Sequence, residues 1–249
     1  MQITLRAAIT YLLILATLHA QARLFKSDSG DHRLIGIVME QQAGRGYCAP
    51  ATMASVLNYH GIKSDQQTLA EDVGCSDDTG TDVEAMLDII SGSCAEYGLT
   101  IESIIGFDYV RYKRIIEHYN KLAHKQGSKK LWFSNSGALD LSRTFSNANL
   151  NILKRTATSR NVADFFQSVR KNIDANTPLI WGVVLGIAPE PELSPYSKGG
   201  HLRLIKGYNK RTQEIIFSDP WGTGHGLKRL KVEDAYAITM SLHVLRKTP

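Results

Sequence analysis

The strongest constraint on this fold lies between residues 36 and 61, where the chain changes period. Ile35, Ile37 and Met39 alternate at a spacing of two, which marks an extended segment over residues 36–42. Ala43-Gly44-Arg45-Gly46 makes a turn, and from Cys48 the pattern becomes helical. Pro50 falls in the first turn, where its missing N–H costs nothing, and Gly61 is a natural C-terminal stop. The run Ala51-Thr52-Met53-Ala54-Ser55-Val56-Leu57 is small and apolar nearly all round, so this helix must be buried. A cysteine is thereby fixed at the start of a buried helix.

The chain has three cysteines in 249 residues, and the odd count rules out a fully paired disulfide scaffold. Three are also too few for an all-cysteine zinc site. No Cys-x-x-Cys or His-x-x-x-His pair occurs, so no metal or other cofactor is expected. With 43% hydrophobic and 21% charged residues the composition is that of a globular protein with a sizeable core. The formal charge of +5 is mild and scattered, and it argues for neither nucleic acid nor any other particular partner.

Residues 1–22 read as a secretory signal peptide. Arg6 gives the positive start, residues 7–20 the apolar run, and Ala20-Gln21-Ala22 the small-x-small cleavage pattern. The run falls short of the roughly 20 apolar residues that span a bilayer. The expectation is an exported chain, in a bacterial periplasm or outside the cell, with no stable membrane anchor after cleavage. Residues 23–249 then form one domain. In an oxidising compartment Cys75 and Cys94 are either a disulfide or two buried free thiols. If they pair, Cys48 is left alone.

Helices are expected at residues 65–73, capped by Ser64 or Asp65, at 82–91, at 108–126 and at 162–173. The third of these carries an apolar stripe, Tyr112, Ile115, Ile116, Tyr119, Leu122 and Ala123, opposite a solvated basic face. Residues 127–160 show weak periodicity and read as an insertion or a lid, with short strands at Leu131-Trp132-Phe133. A buried strand follows at 178–185, a proline-rich loop at 189–197, and strands at 202–208 and 214–218. Helices ahead of strands indicate an α+β domain.

A nucleophilic cysteine must be a thiolate near neutral pH, and both a helix N-terminus and a neighbouring imidazolium lower its pKa. Cys48 has the first. His201, after Gly199-Gly200 at the start of a strand, is the candidate for the second. A hairpin centred on Arg211 sets residue 219 opposite residue 203 and diagonal to 201, so Asp219 can accept from the His201 ring and hold its tautomer. A one-residue slip would defeat this placement. Gln42, six residues before Cys48, can donate to a developing oxyanion; Gln41 is the competing candidate. His225 sits in a glycine-rich loop beside this constellation.

Gln42, Tyr47-Cys48-Ala49-Pro50-Ala51-Thr52, Asn58-Tyr59-His60-Gly61, Gly200-His201 and Ser218-Asp219-Pro220 together resemble the papain-fold cysteine peptidases related to bacteriocin double-glycine leader peptidases. The resemblance implies helices packed on a C-terminal antiparallel sheet. It also implies Cys48 as nucleophile, His201 as general base and acid, Asp219 as the orienting residue and Gln42 as oxyanion donor. The family commonly has glycine where this chain has Ala49. The function expected is hydrolysis of peptide or isopeptide bonds in a peptide or protein substrate. An acyl-transfer variant would use the same residues, and a non-catalytic peptide-binding domain is the alternative from another class.

Overall fold

A computed structural model describes residues 23–75, 81–133, 140–190 and 198–248. The signal peptide expected over 1–22 lies outside the described residues, as do parts of the 127–160 segment and of the 189–197 loop. Strands β1 (Arg23–Lys26) and β2 (Asp31–Ile35) come first, then helices α1 (Cys48–Tyr59), α2 (Gln66–Asp72) and α3 (Val83–Glu96). Next are β3 (Leu99–Ile105), α4 (Tyr109–Lys125), α5 (Leu141–Thr144), α6 (Leu150–Lys154) and α7 (Ser159–Asp174). The remaining elements are β4 (Leu179–Leu185), β5 (Gly199–Asn209), β6 (Glu214–Ser218), β7 (Lys228–Lys231), α8 (Val232–Ile238) and β8 (Thr239–Lys247).

The strands form one antiparallel sheet in the order β1-β2-β5-β4-β8-β3, with β6 on β5 and β7 on β6. The domain is α+β, as its sequence indicates. Helices cover both faces, which is why β4 is buried along its whole length. Leu179, Trp181 and Val183 pack with Phe165, Phe166, Val169 and Ile173 of α7. Ile180 points the other way, into a cluster with Ala49, Met53 and Val56 of α1 and Met86, Leu87 and Ile90 of α3. Val184 and Met240 receive α4 and α6 through Tyr112, Ile116, Tyr119, Ile152 and Leu153.

Short side chains set where the helices start. Asp65, Asp82 and Asp108 accept from backbone N–H groups at the first turns of α2, α3 and α4, and Thr158 with Asn161 forms a capping box on α7. No strand forms at residues 131–133. The Asn120 side chain of α4 supplies both bonds a partner strand would offer, accepting from Leu131 N–H at 2.7 Å and donating to Leu131 C=O at 3.0 Å. Leu131 is thereby pinned to a helix and buried.

Cys75 and Cys94 are free thiols, which corrects the disulfide alternative. Helix α3 does not stop near Gly92 but continues to Glu96, and Cys94 packs into the α1–α3 cluster. Cys75 contacts Thr81, just before the start of that helix, whose hydroxyl donates to its sulfur at 3.1 Å. Cys94 lies eleven residues along the helix from Val83, a rise of about 16 Å. A disulfide needs Cα atoms within roughly 7 Å.

Candidate active site

The geometry of the site follows from an unpaired stretch of one strand edge. On β5, β4 pairs with residues 199–205 and β2 with residues 207–209 along one edge, while β6 pairs along the other. Strand β6 ends at Ser218, just before Asp219-Pro220, and proline cannot donate to a ladder. The Leu202 backbone is therefore left for helix α1. The Thr52 hydroxyl donates to Leu202 C=O at 3.2 Å, and Leu202 N–H donates to the Cys48 sulfur. Cys48, in the first turn of α1, thus lies against the strand residue that follows His201.

The hairpin register reaches the predicted pairing by an unforeseen route. At its tip Asn209 faces Glu214, a register that, carried down the strand, would bring residue 219 opposite residue 204. A bulge between Ile205 and Gly207 removes the slip, so Leu204 faces Ser218 and Asp219 continues opposite Arg203. Gly207 is required there because a Cβ would lie 2.6 Å from the His32 carbonyl oxygen.

His201 Nε2 lies 2.9 Å from Asp219 Oδ1. The ring also hydrogen-bonds the Cys48 thiol, which leaves Nδ1 as the nitrogen on that side. His201 is 8% exposed and Asp219 1%, so these interactions act in a poorly solvated pocket. Burial alone would push the Cys48 thiol up, but the His201 charge and hydrogen bond, with the N–H groups of Leu202 and Ala49, bring it below its ordinary value. Burial would also depress His201, but the Cys48 charge and the hydrogen bonds to Asp219 and Cys48 raise it to about 9. For Asp219 burial is outweighed by the His201 hydrogen bond and by the charges of His201, Arg203 and Lys228, which hold it at about 2. The pocket thus favours thiolate beside imidazolium.

Gln42 enters this region through its backbone: its N–H donates to Pro220 C=O at 2.7 Å, tying its loop to the Asp219-Pro220 turn. Its amide donates one N–H to Gly44 C=O at 2.8 Å. The Gln41 side chain instead lies against Gly222, within 2.5 Å of where a Cβ would be. His225 accepts from Asp219 N–H at 2.9 Å through its carbonyl, and its ring meets Trp221 edge-on.

Several residues of the site escaped sequence reasoning. Trp221 covers the His201 ring with centroids 5.0 Å apart. Gln66 clamps the loop before Cys48, donating to Gln41 C=O at 2.7 Å and Glu40 Oε1 at 3.1 Å and accepting from Ala43 N–H at 2.7 Å. Arg203 donates from Nε to Asp219 Oδ2 at 2.7 Å and grips Glu190 with its two terminal nitrogens at 2.9 and 3.0 Å. Arg203 was visible as the residue two after His201, on the same strand face; Gln66 and Glu190 left no periodic signal. Leu141 and Ser142 of α5 lie against Gly200 and Gly199, beside His201. Among the described residues no group of three His, Cys, Asp or Glu side chains is placed to hold a metal ion.

Comparison with known proteins places the chain in a family. The sequence profile of the Peptidase_C39-like family matches residues 34–242. No curated protein matches the chain. Solved structures are similar at low identity. The peptidase domain of Streptococcus ComA, a bifunctional ABC transporter of a quorum-sensing pathway, is 13% identical over 84% of this chain and 96% of that one, with a TM-score of 0.41. A double-glycine motif protease from an AMS/PCAT transporter, in complex with its leader peptide, is 13% identical over 91% and 93%, with a TM-score of 0.39. Xylellain, a cysteine protease from Xylella fastidiosa, is 10% identical over 91% and 92%, with a TM-score of 0.47. The family match spans most of the chain, and the chain belongs to the Peptidase_C39-like family of cysteine peptidase-like hydrolases.

Proposed function

We propose that this chain is an exported thiol hydrolase that cleaves peptide or isopeptide bonds with Cys48, His201 and Asp219. One observation carries the reading: the His201 ring bridges the Cys48 thiol and the Asp219 carboxylate inside a largely buried pocket. The Cys48 thiolate attacks the amide carbonyl carbon, forming a C–S bond. The Gln42 amide and the Cys48 N–H at the helix start stabilise the oxyanion. His201 passes its proton to the departing amine as the C–N bond breaks. Neutral His201 then takes a proton from water, whose oxygen attacks the thioester, and the acid leaves as the thiolate is restored. Asp219 holds the ring and offsets its positive charge.

A peptide substrate is supported by membership of a peptidase family. Export to a periplasm or the cell exterior is supported by the pattern of residues 1–22. The test is alkylation by iodoacetamide, followed on the Cys48 peptide by mass spectrometry. Rapid reaction near neutral pH, slowed in His201→Ala and abolished in Cys48→Ser, is expected. A Cys48 no faster than an exposed model thiol overturns the proposal.

A further inference from the structure

The charges around the site continue past Asp219. Arg203 joins Asp219 Oδ2 to both oxygens of Glu190, and Lys228 Nζ of β7 lies 3.0 Å from Glu190 Oε2. The Arg203 side chain is 0% exposed, that of Glu190 4% and that of Lys228 5%. From Cys48 through His201, Asp219, Arg203 and Glu190 to Lys228 the signs alternate in the thiolate–imidazolium state. A buried ion pair gives little net stability over apolar side chains of the same shape, because desolvation offsets the Coulomb attraction. Stability therefore does not explain three further charges buried behind Asp219.

We propose that Arg203, Glu190 and Lys228 are positioning residues that act on His201 through Asp219, setting both the orientation and the electrostatic field of that carboxylate. Orientation comes from Arg203 Nε, which occupies Oδ2 and leaves Oδ1 to His201 Nε2 and, at 3.3 Å, to Trp221 N–H. The field depends on Glu190. An uncompensated Arg203 beside Asp219 would cancel the negative charge that steadies the imidazolium. Glu190 cancels Arg203 instead, and Lys228 moderates Glu190. Among the described residues, the charged and titratable groups facing His201 and Asp219 are Cys48 from α1, Arg203 from β5, Lys228 from β7, Glu190 from the segment after β4, and His225 across the Trp221 ring.

Alternation makes a prediction that a merely structural role does not. Removing a negative charge from the row disfavours the imidazolium, and removing a positive one favours it. The experiment measures Cys48 alkylation by iodoacetamide against pH in the full chain, with circular dichroism confirming that each variant is folded. The rate has a lower step, as thiolate–imidazolium forms, and an upper step, as His201 loses its proton. Glu190→Gln should move the upper step down by about one pH unit, and Lys228→Met should move it up, the effect of a unit charge roughly 10 Å away at an effective dielectric near 20. An upper step that stays put, or moves the same way in both variants, overturns the relay. If Glu190→Gln does not fold, Lys228→Met decides alone: an upper step that fails to rise overturns it. The relay rests on Cys48 and His201 as the catalytic pair, which fails separately, through a Cys48 of ordinary reactivity in the unaltered chain.

Discussion

The Thr52 hydroxyl donates to the Leu202 carbonyl at 3.2 Å, joining the helix that carries Cys48 to the strand that carries His201 across 150 residues of chain. Both groups are buried, and the bond sits where the β5 edge has lost its strand partner. Thr52→Val keeps the shape and strands the carbonyl. A loss of about 1–2 kcal/mol in urea unfolding is expected, with a several-fold fall in kcat from the altered spacing of thiol and imidazole. Unchanged stability would show that this bond is not what seats the helix.

The loop carrying Gln42 is held by Gln66, whose amide makes three hydrogen bonds to residues 40–43. Gln66→Ala should destabilise the protein by about 1–3 kcal/mol and lower kcat with the loop. Gln42→Ala should lower kcat by about 100-fold or more while leaving stability nearly unaltered. Gln41→Ala should change kcat far less. Steady-state kinetics on a peptide substrate, with KM and kcat separated, distinguishes the two glutamines; equal effects would remove Gln42 from its proposed role.

His243 on β8 is 0% exposed, with Nδ1 2.8 Å from the Ser103 hydroxyl, and burial pushes it down from 6.5 to about 4. A histidine with a depressed folded pKa stabilises the native state above its unfolded pKa and loses that contribution as pH falls through the folded value. Stability should therefore drop between pH 6.5 and about 4, by up to about 3 kcal/mol from this residue. Asp219 and Asp31, both held near 2, stay ionised across that interval. Urea unfolding at both ends of the interval should show a smaller drop in His243→Asn than in the unaltered chain.

Free Cys75 and Cys94 have a simple readout. Thiol titration of the denatured, unreduced protein should give three thiols per chain. One thiol would mean that a disulfide forms and that α3 is distorted to allow it.

The residues nearest the proposed chemistry were the most legible ones. Cys48 announced itself through the change of period and Pro50, and His201 and Asp219 through hairpin register, although the bulge after Ile205 was needed to make that register true. The β3–β8 pairing was not legible. Helix α8 passes into β8 between Ile238 and Thr239 with no glycine or proline to mark the boundary, so the apolar run reads equally as either element. Residues 131–133 have strong β propensity but no strand partner among the described residues, and Asn120 occupies both backbone groups of Leu131. Glu190 lies in a proline-rich stretch whose pattern says only that a loop is present. Its role depends on a guanidinium supplied from another strand.

The sheet order carries a consequence for how the molecule is assembled. Strand β8 comes last in chain order yet lies inside the sheet, with β4 on one side and β3 on the other. A chain cut before residue 239 leaves β3 without its ladder and turns β4 into an open edge, the kind of surface that pairs with other chains. Synthesis delivers β3 more than 100 residues before its partner, and such long-range closure is slow. Through that interval β3 is exposed, and the β4 backbone against which β5 and His201 are held has only one neighbour. The β4–β5 pairing that holds His201 thus gains its second flank only when β8 is in place.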